Sequence, residues 1–192
     1  FNISTVVSLV IAGAGLAVAK HGNRSVSSHC GSADLLETLG VKIDLGPDEV
    51  ARCIDEIGIG FLFAPRLHPA MAHAAAPRRE MGIRTIFNLL GPLTNPASAS
   101  VQLLGVYSPK LTEVTAQVLN SLGARQAMVV HGHNGLDELS TTGNNVVTEL
   151  RGGQIVTYLL NPNQLGLKAA SLEDLKGGTP QENAEIALKV LH

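Results

Sequence analysis

The sequence predicts an α/β protein: a mostly parallel central sheet flanked by helices, with part of a smaller helical domain attached. Two observations carry that expectation. Apolar runs of strand length alternate with helix-period segments along most of the 192 residues. One hairpin signal, Arg151-Gly152-Gly153, interrupts the parallel alternation. The length suffices for one domain with a sizeable core, or a little more. Residues 1–192 are read as one α/β domain incomplete at both ends, with 46–80 partly contributing to the helical domain.

Ser4 or Thr5 opens a helix running from Thr5 to Ile11, and Leu16–Ala19 follows as a short strand. The apolar run Val6–Ala19 is shorter than the ~20 residues a spanning helix needs, and Gly13 and Gly15 interrupt it, so it reads as a buried helix passing into a buried strand. Lys20–Ser28 is the loop leaving that strand. Ser32 caps a helix through Leu39, with Asp34 suited to the positive end of its dipole. Pro47-Asp48-Glu49 opens the next helix, Gly58 closes it, and Gly60–Ala64 is a strand. His68–Met81 has helical composition with a break expected at Pro77. Thr85–Leu90 and Val101–Tyr107 read as strands separated by the turn-rich Gly91–Pro96. Leu111–Leu122 is a helix, Ala127–Val130 a strand and His131–Glu138 the loop after it. Val146–Leu150 and Gln154–Leu160 form the hairpin, and Gln181–His192 is an amphipathic helix. The chain opens without Met on Phe1-Asn2, so both ends are read as cuts in a longer protein.

The totals exclude several function classes. A net charge of −2 and a pI near 6.4 give no footprint for a nucleic-acid backbone, and 3% aromatics without Trp give no base-stacking platform. A mean hydropathy of +0.20 and 45% hydrophobic residues mark a globular chain, not a disordered one. Cys30 and Cys53 make neither a disulfide framework nor a zinc site, which suits a cytoplasmic setting, and no signal peptide or membrane span is read.

Three segments could carry chemistry. Asn2-Ile3-Ser4-Thr5 stands at a helix start, where backbone N–H groups and hydroxyls serve either as an ordinary cap or as an anion site. Lys20–Ser28 packs Lys20, His21, Asn23, Arg24, Ser25, Ser27 and Ser28 into one loop after a strand, a composition suited to a phosphate, and Gly31-Ser32 extends it. Asp137-Glu138 is either two acids on a polar loop or a hard-oxygen pair for Mg²⁺. Ligands of open α/β sheets bind beyond the carboxyl ends of strands, so the Lys20–Ser28 and His131–Glu138 loops are expected to share one site. Arg78 could hold a substrate carboxylate in a bidentate grip. His29, His68, His73, His131 and His133 show no metal spacing, and there is no P-loop, GxSxG or GxGxxG.

Five blocks, in order, resemble the anthranilate phosphoribosyltransferase family: Asn2–Thr5, Lys20–Ser28, Gly31–Asp34, Arg84–Pro96 and Gly135–Leu139. The resemblance runs along essentially the whole chain. It implies Mg²⁺-dependent transfer of phosphoribose from phosphoribosyl pyrophosphate to the amine of anthranilate, in tryptophan biosynthesis. Asn2, Ile3, Ser4, Thr5, Lys20, His21, Gly22, Asn23, Arg24, Ser25, Val26, Ser27, Ser28 and Ser32 would then meet phosphoribosyl pyrophosphate. Asn23, Arg78, His68, His21 and Pro92 would meet anthranilate, and Ser4, Asp137 and Glu138 the metal, with His21 a candidate proton acceptor. The same resemblance implies a cytoplasmic homodimer for the full-length parent. The family's glycine-rich acidic segment, N-terminal helical region and C-terminal end are not in this sequence. A pyrimidine nucleoside phosphorylase-like enzyme would share the architecture and phosphate site but read a pyrimidine without the acidic pair. A non-catalytic nucleic-acid-binding relative would need a basic surface.

Overall fold

A computed structural model describes residues 1–25, 29–68, 73, 80–81 and 85–192, with the side chains of Phe87 and Asn88 excepted. Val26, Ser27, Ser28 and Arg78, and most of the helix expected over His68–Met81 with its break at Pro77, lie outside the described residues. The chain folds as two compact units: Phe1–Ala97 joined by Gly177–His192, and Ser98–Lys176. The class is α/β, with parallel strands flanked by helices.

In the first unit, helix α1 (Ile3–Gly13) leads to strand β1 (Val18–Gly22). The helix starts two residues earlier than the sequence suggests, with Asn2 as N-cap and Ser4 and Thr5 already in its first turn. Asn2 caps through its backbone, its carbonyl accepting from the N–H groups of Thr5 and Val6. Its side chain bonds elsewhere, donating to the Cys30 carbonyl and accepting from Asn183. Only Thr5, Val6 and Ser8 of α1 are buried and Leu16 is exposed, so the Val6–Ala19 run buries one face and not its whole circumference.

Strand β1 also begins later than expected and runs on through Lys20, His21 and Gly22. Helices α2 (Ser32–Thr38) and α3 (Pro47–Ile57) then lead to β2 (Ile59–Phe63), which lies parallel to β1 from Val18↔Ile59 to Gly22↔Phe63. Pro at the first position and a left-handed Gly58 (φ 80°) bound α3, as the sequence predicts. Short helix α4 (Ala64–Leu67) follows β2. Helix α7 (Pro180–Leu191) starts at Thr179, whose hydroxyl accepts from the Glu182 N–H while the Glu182 carboxylate accepts from the Thr179 N–H. Val6, Cys30, Leu35, Ala184 and Ala187 form one core cluster, and Ala33, Leu36, Ile43 and Phe61 a second.

Thr85–Leu90 is not the expected strand: Phe87–Leu93 is a helix, α5. A short apolar run carries no period that separates strand from helix. The N–H groups of Leu89 and Leu90 both close onto the Ile86 carbonyl, and the Thr94 hydroxyl takes up the Leu90 carbonyl at the far end. Pro92 is tolerated because the helix stops one residue later.

In the second unit the strand order is β3 (Val101–Gly105), β4 (Gln126–His131), β5 (Asn145–Arg151) and β6 (Gln154–Leu160). The β3–β4 pair is parallel, crossed by α6 (Leu111–Ser121), and β4–β5–β6 is antiparallel. The expected hairpin turns on Gly152 (φ 56°) and Gly153 (φ 80°), the two positive angles of a type I′ turn.

Packing of α3 on β2 sets a sharp steric condition at Gly60, where a Cβ would sit 2.8 Å from both Val50 Cγ1 and Ile54 Cγ1 and 2.9 Å from the Val50 carbonyl. Gly60→Ala is expected to cost about 1–3 kcal/mol by overpacking, read as a lower urea midpoint. An unchanged midpoint would show that α3 yields freely.

Candidate functional site

The first unit gathers the polar groups that the sequence singles out around the start of α1 and the end of β1. Parallel pairing with β2 carries Lys20 and His21 to the carboxyl end of β1. The Lys20 ammonium donates to the Ser4 hydroxyl at 3.2 Å, joining the first turn of α1 to the strand. Burial lowers the Lys20 pKa to about 8, since an ammonium loses water there without gaining a carboxylate among the described residues. Thr5 next to it is buried, and its hydroxyl has no partner among the described residues.

His21 and His68 meet edge to face, with ring centroids 5.1 Å apart. The sequence alone treats His68 as an ordinary loop residue, and only the family resemblance joins it to His21. The Nε2 atoms of both are buried without a partner among the described residues. Burial, then the charges of His68 and Lys20, push the His21 pKa down, partly opposed by a hydrogen bond with the backbone of Gly91. His21 is therefore a neutral imidazole around pH 7, with a nitrogen able to take a proton. The Gly91 contact brings α5, and with it the segment carrying Pro92, up to His21. Asn95 anchors the same segment by donating to the Ala19 carbonyl at 3.1 Å. No signal in the sequence marked that anchor.

The turn after β1 is held from within. The Asn23 side chain accepts from the Arg24 N–H at 2.7 Å, and the Asn23 carbonyl accepts from the Ala33 N–H and the Ser32 hydroxyl. Arg24 reaches two carboxylates: Nη1 donates to Asp34 at 3.1 Å and Nη2 to Glu37 at 2.8 Å. Its guanidinium also lies 5.7 Å from the centre of the Phe63 ring. Asp34, read from the sequence as a helix-dipole residue, accepts from the Gly31 N–H in a capping box and from the Ser25 N–H as well. The Gly-x-x-Asp spacing of Gly31 and Asp34 is the signal that could have found this.

In the second unit, Asp137 and Glu138 lie beyond the carboxyl ends of β3 and β4. A Cβ on Gly105 would collide with the Asp137 carbonyl, and one on Gly132 with the Glu138 carbonyl, so the acidic segment rests directly on strand-end backbone. The Gly132 N–H donates to the Leu136 carbonyl at 2.8 Å, closing the tight turn before the pair. Buried Asn145 braces the other side, accepting from the Ser140 N–H and donating to the Ser140 carbonyl. Burial, reinforced by the neighbouring Asp137, pushes the Glu138 pKa up.

Two hard oxygen ligands, one pushed towards its protonated form by burial and then by a like charge, fit a divalent cation that takes one or two carboxylates and completes its shell with water and phosphate. Among the described residues no group of three or more His, Cys, Asp and Glu gathers into a cage. His131 is a satisfied core residue, its Nδ1 2.8 Å from the Val106 carbonyl, and His133 and His29 are exposed. No helix among the described residues is long and apolar enough to cross a membrane.

Residues 1–192 match the family model described as glycosyl transferase family, a/b domain. The chain is 63% identical over 191 residues to the anthranilate phosphoribosyltransferase of Moorella thermoacetica, covering all of this chain and 56% of that protein. It is similar to the crystal structure of the Thermus thermophilus anthranilate phosphoribosyltransferase, with 54% identity, a TM-score of 0.89, and 97% of this chain and 55% of that one covered. The Saccharomyces cerevisiae anthranilate phosphoribosyltransferase in complex with phosphoribosyl pyrophosphate and Mg is 34% identical, with a TM-score of 0.89 over 98% of this chain and 52% of that one. The chain thus spans about half the length of the relatives it matches.

A carboxyl whose folded pKa is raised binds protons more readily folded than unfolded, so it costs stability as pH rises from the ordinary carboxylate range through the raised value. Glu138→Gln is therefore expected to raise the melting temperature of the cation-free protein by about 1–3 °C at pH 7 and to leave it unchanged at pH 4. A variant that melts lower at pH 7 would remove the cost of burying the Glu138 charge beside Asp137 from this account.

Proposed function

This chain belongs to the glycosyl transferase family through its a/b domain, and on that footing we propose that the whole protein transfers phosphoribose from phosphoribosyl pyrophosphate to the amine of anthranilate. The products are N-(5-phosphoribosyl)anthranilate and pyrophosphate, the second step of tryptophan biosynthesis from chorismate. The observation that carries this reading is the Lys20 ammonium set on the Ser4 hydroxyl, with neutral His21 paired to His68 alongside. That set offers a point charge for a polyphosphate and a proton acceptor for an amine. The names of the relatives agree with it.

In this reading Asn2, Ile3, Ser4, Thr5, Lys20, Gly22, Asn23, Ser25 and Ser32 receive phosphoribosyl pyrophosphate, and the family resemblance adds Val26, Ser27 and Ser28. The amine nitrogen bonds to C1 as the bond from C1 to the pyrophosphate oxygen breaks, and the electron pair leaves with pyrophosphate. The proton lost by the new secondary amine goes to His21 or to water. Asn23 and Arg78 hold the anthranilate carboxylate, with His21, His68 and Pro92 along its approach. Aligning amine and C1 supplies much of the acceleration. Asp137, Glu138 and Ser4 would hold Mg²⁺, which when bound neutralises charge building on the leaving pyrophosphate. Residues 46–80 contribute in part to the helical domain, and the intact protein works as a cytoplasmic homodimer.

The direct test follows anthranilate fluorescence in the intact protein after adding phosphoribosyl pyrophosphate and Mg²⁺. Fluorescence is expected to fall with turnover; a folded protein that leaves it unchanged overturns the assignment. Asp137→Asn combined with Glu138→Gln is expected to cut Mg²⁺-dependent turnover by about 100-fold or more with the fold intact. Normal turnover in that variant at low Mg²⁺ would remove the pair from the metal site. An amine with a pKa near 8 loses its charge as pH climbs past that value, so donor affinity is expected to decline above pH 8. Lys20→Arg, charged throughout, is expected to abolish that decline. A decline that persists in the variant belongs to another group.

A further inference from the structure

We propose that Asp34, working with Arg24 and Glu37, is a positioning residue that locks the Asn23–Ser25 turn against Gly31–Ser32 and so presets the donor-binding loop. The inference rests on the reading that this site takes phosphoribosyl pyrophosphate. It gives Arg24 and Asp34 a role different from phosphate contact.

The Asp34 side chain bonds to both ends of this loop. Oδ2 accepts from the Ser25 N–H at 3.0 Å and the Gly31 N–H at 2.8 Å, two backbone groups six positions apart. Its other oxygen accepts from Arg24 at 3.1 Å. Burial alone would raise the Asp34 pKa, but these N–H groups and the guanidinium more than offset it and hold the carboxyl below its ordinary value. The acceptor stays ionised across the working pH range.

The closeness of the two strands of chain is steric as well as polar. A Cβ on Gly31 would sit 2.6 Å from the Arg24 carbonyl carbon and 2.8 Å from the Asn23 carbonyl oxygen. The Asn23 carbonyl in turn accepts from the Ala33 N–H at 3.2 Å and from the Ser32 hydroxyl at 3.3 Å. The turn is thereby stapled onto the start of α2 at three successive residues.

Arg24 reads differently from Lys20. Its guanidinium faces two carboxylates and an aromatic ring, so its charge is already matched and a phosphate approaching it meets Asp34 and Glu37. Among the described residues, Lys20 donates to the Ser4 hydroxyl and pairs with no carboxylate. The two cations of the loop therefore divide the work: Lys20 stays available to an anion, and Arg24 holds the turn in place. Preset geometry of this kind shows in substrate binding before it shows in stability.

Steady-state kinetics on the intact protein, with each substrate varied in turn and melting temperatures in parallel, test this. Asp34→Asn keeps an oxygen for the backbone N–H groups but turns an amide towards Arg24. It is expected to raise KM for phosphoribosyl pyrophosphate about tenfold, with KM for anthranilate changed less than about twofold. Glu37→Gln, on the exposed face of α2, is the second variant should the first fail to fold. It is expected to raise the donor KM about threefold at an unchanged melting temperature. A direct phosphate contact by Arg24 predicts the opposite, since freeing the guanidinium from Glu37 would leave the donor KM unchanged or lower it. That result, or both KM values rising together, overturns the proposal. Wild-type protein that leaves anthranilate unconsumed overturns the underlying reading instead.

Discussion

The amide of Asn2 is the joint on which the first unit depends. One end donates to the Cys30 carbonyl just before α2, and the other accepts from Asn183 on α7, 181 positions away. Asn183 accepts in turn from the Gly178 N–H, so the start of α1, the start of α2 and the start of α7 are tied by a single chain of amides. Each bond is worth about 1 kcal/mol net, but breaking one strands a half-buried partner and costs more. The relay explains why Asn2 caps α1 through its backbone: its side chain has other work. It also fixes where Ser4 stands when Lys20 arrives from β1.

Around that joint, three basic side chains within five residues end in three electrostatic states. Lys20 is desolvated and, among the described residues, paired with no carboxylate, so its pKa falls. His21 is desolvated beside another imidazole and stays neutral. Arg24 is exposed and doubly paired, which raises its pKa still further. The differences come from where β1 ends. Residues 20 and 21 still lie in the strand, paired with Phe61 and Leu62, while Arg24 has turned out towards α2. A strand-to-turn transition is thus enough to sort one short polar segment into a desolvated cation, a neutral base and a doubly paired cation.

Much of this was legible in the sequence. The helix Pro47–Ile57, the Gly152-Gly153 hairpin and the α/β class follow from punctuation by Pro and Gly and from apolar period. The polar blocks were visible because chemistry-bearing residues cluster in sequence there. The helix Phe87–Leu93 was read as the end of a strand through Leu90 and then a turn from Gly91, because seven residues with Gly and Pro near one end hold too little period to decide. The end of β1 was misplaced because Lys20 and His21 read as loop by polarity alone, whereas pairing with Ile59–Phe63 holds them in the strand. The His21–His68 contact and the Asn95–Ala19 bond were invisible to residue-by-residue reading, since both join segments far apart in the chain. Asp34 was seen with the wrong emphasis: its spacing from Gly31 announces a cap, but its second bond to Ser25 exists only once the loop has closed.

Gly105 and Gly132 bear on how sequence variation in such proteins should be read. Neither carries a functional group, yet each occupies a place where the backbone of the acidic pair touches the end of a strand. The steric condition on where Asp137 and Glu138 sit therefore extends to two positions 32 and 6 residues upstream of the carboxylate each supports. A homologue that retained both acids but carried a larger residue at either glycine would preserve the motif and lose its placement. For variants of uncertain effect, these glycines belong in the same class as the carboxylates themselves.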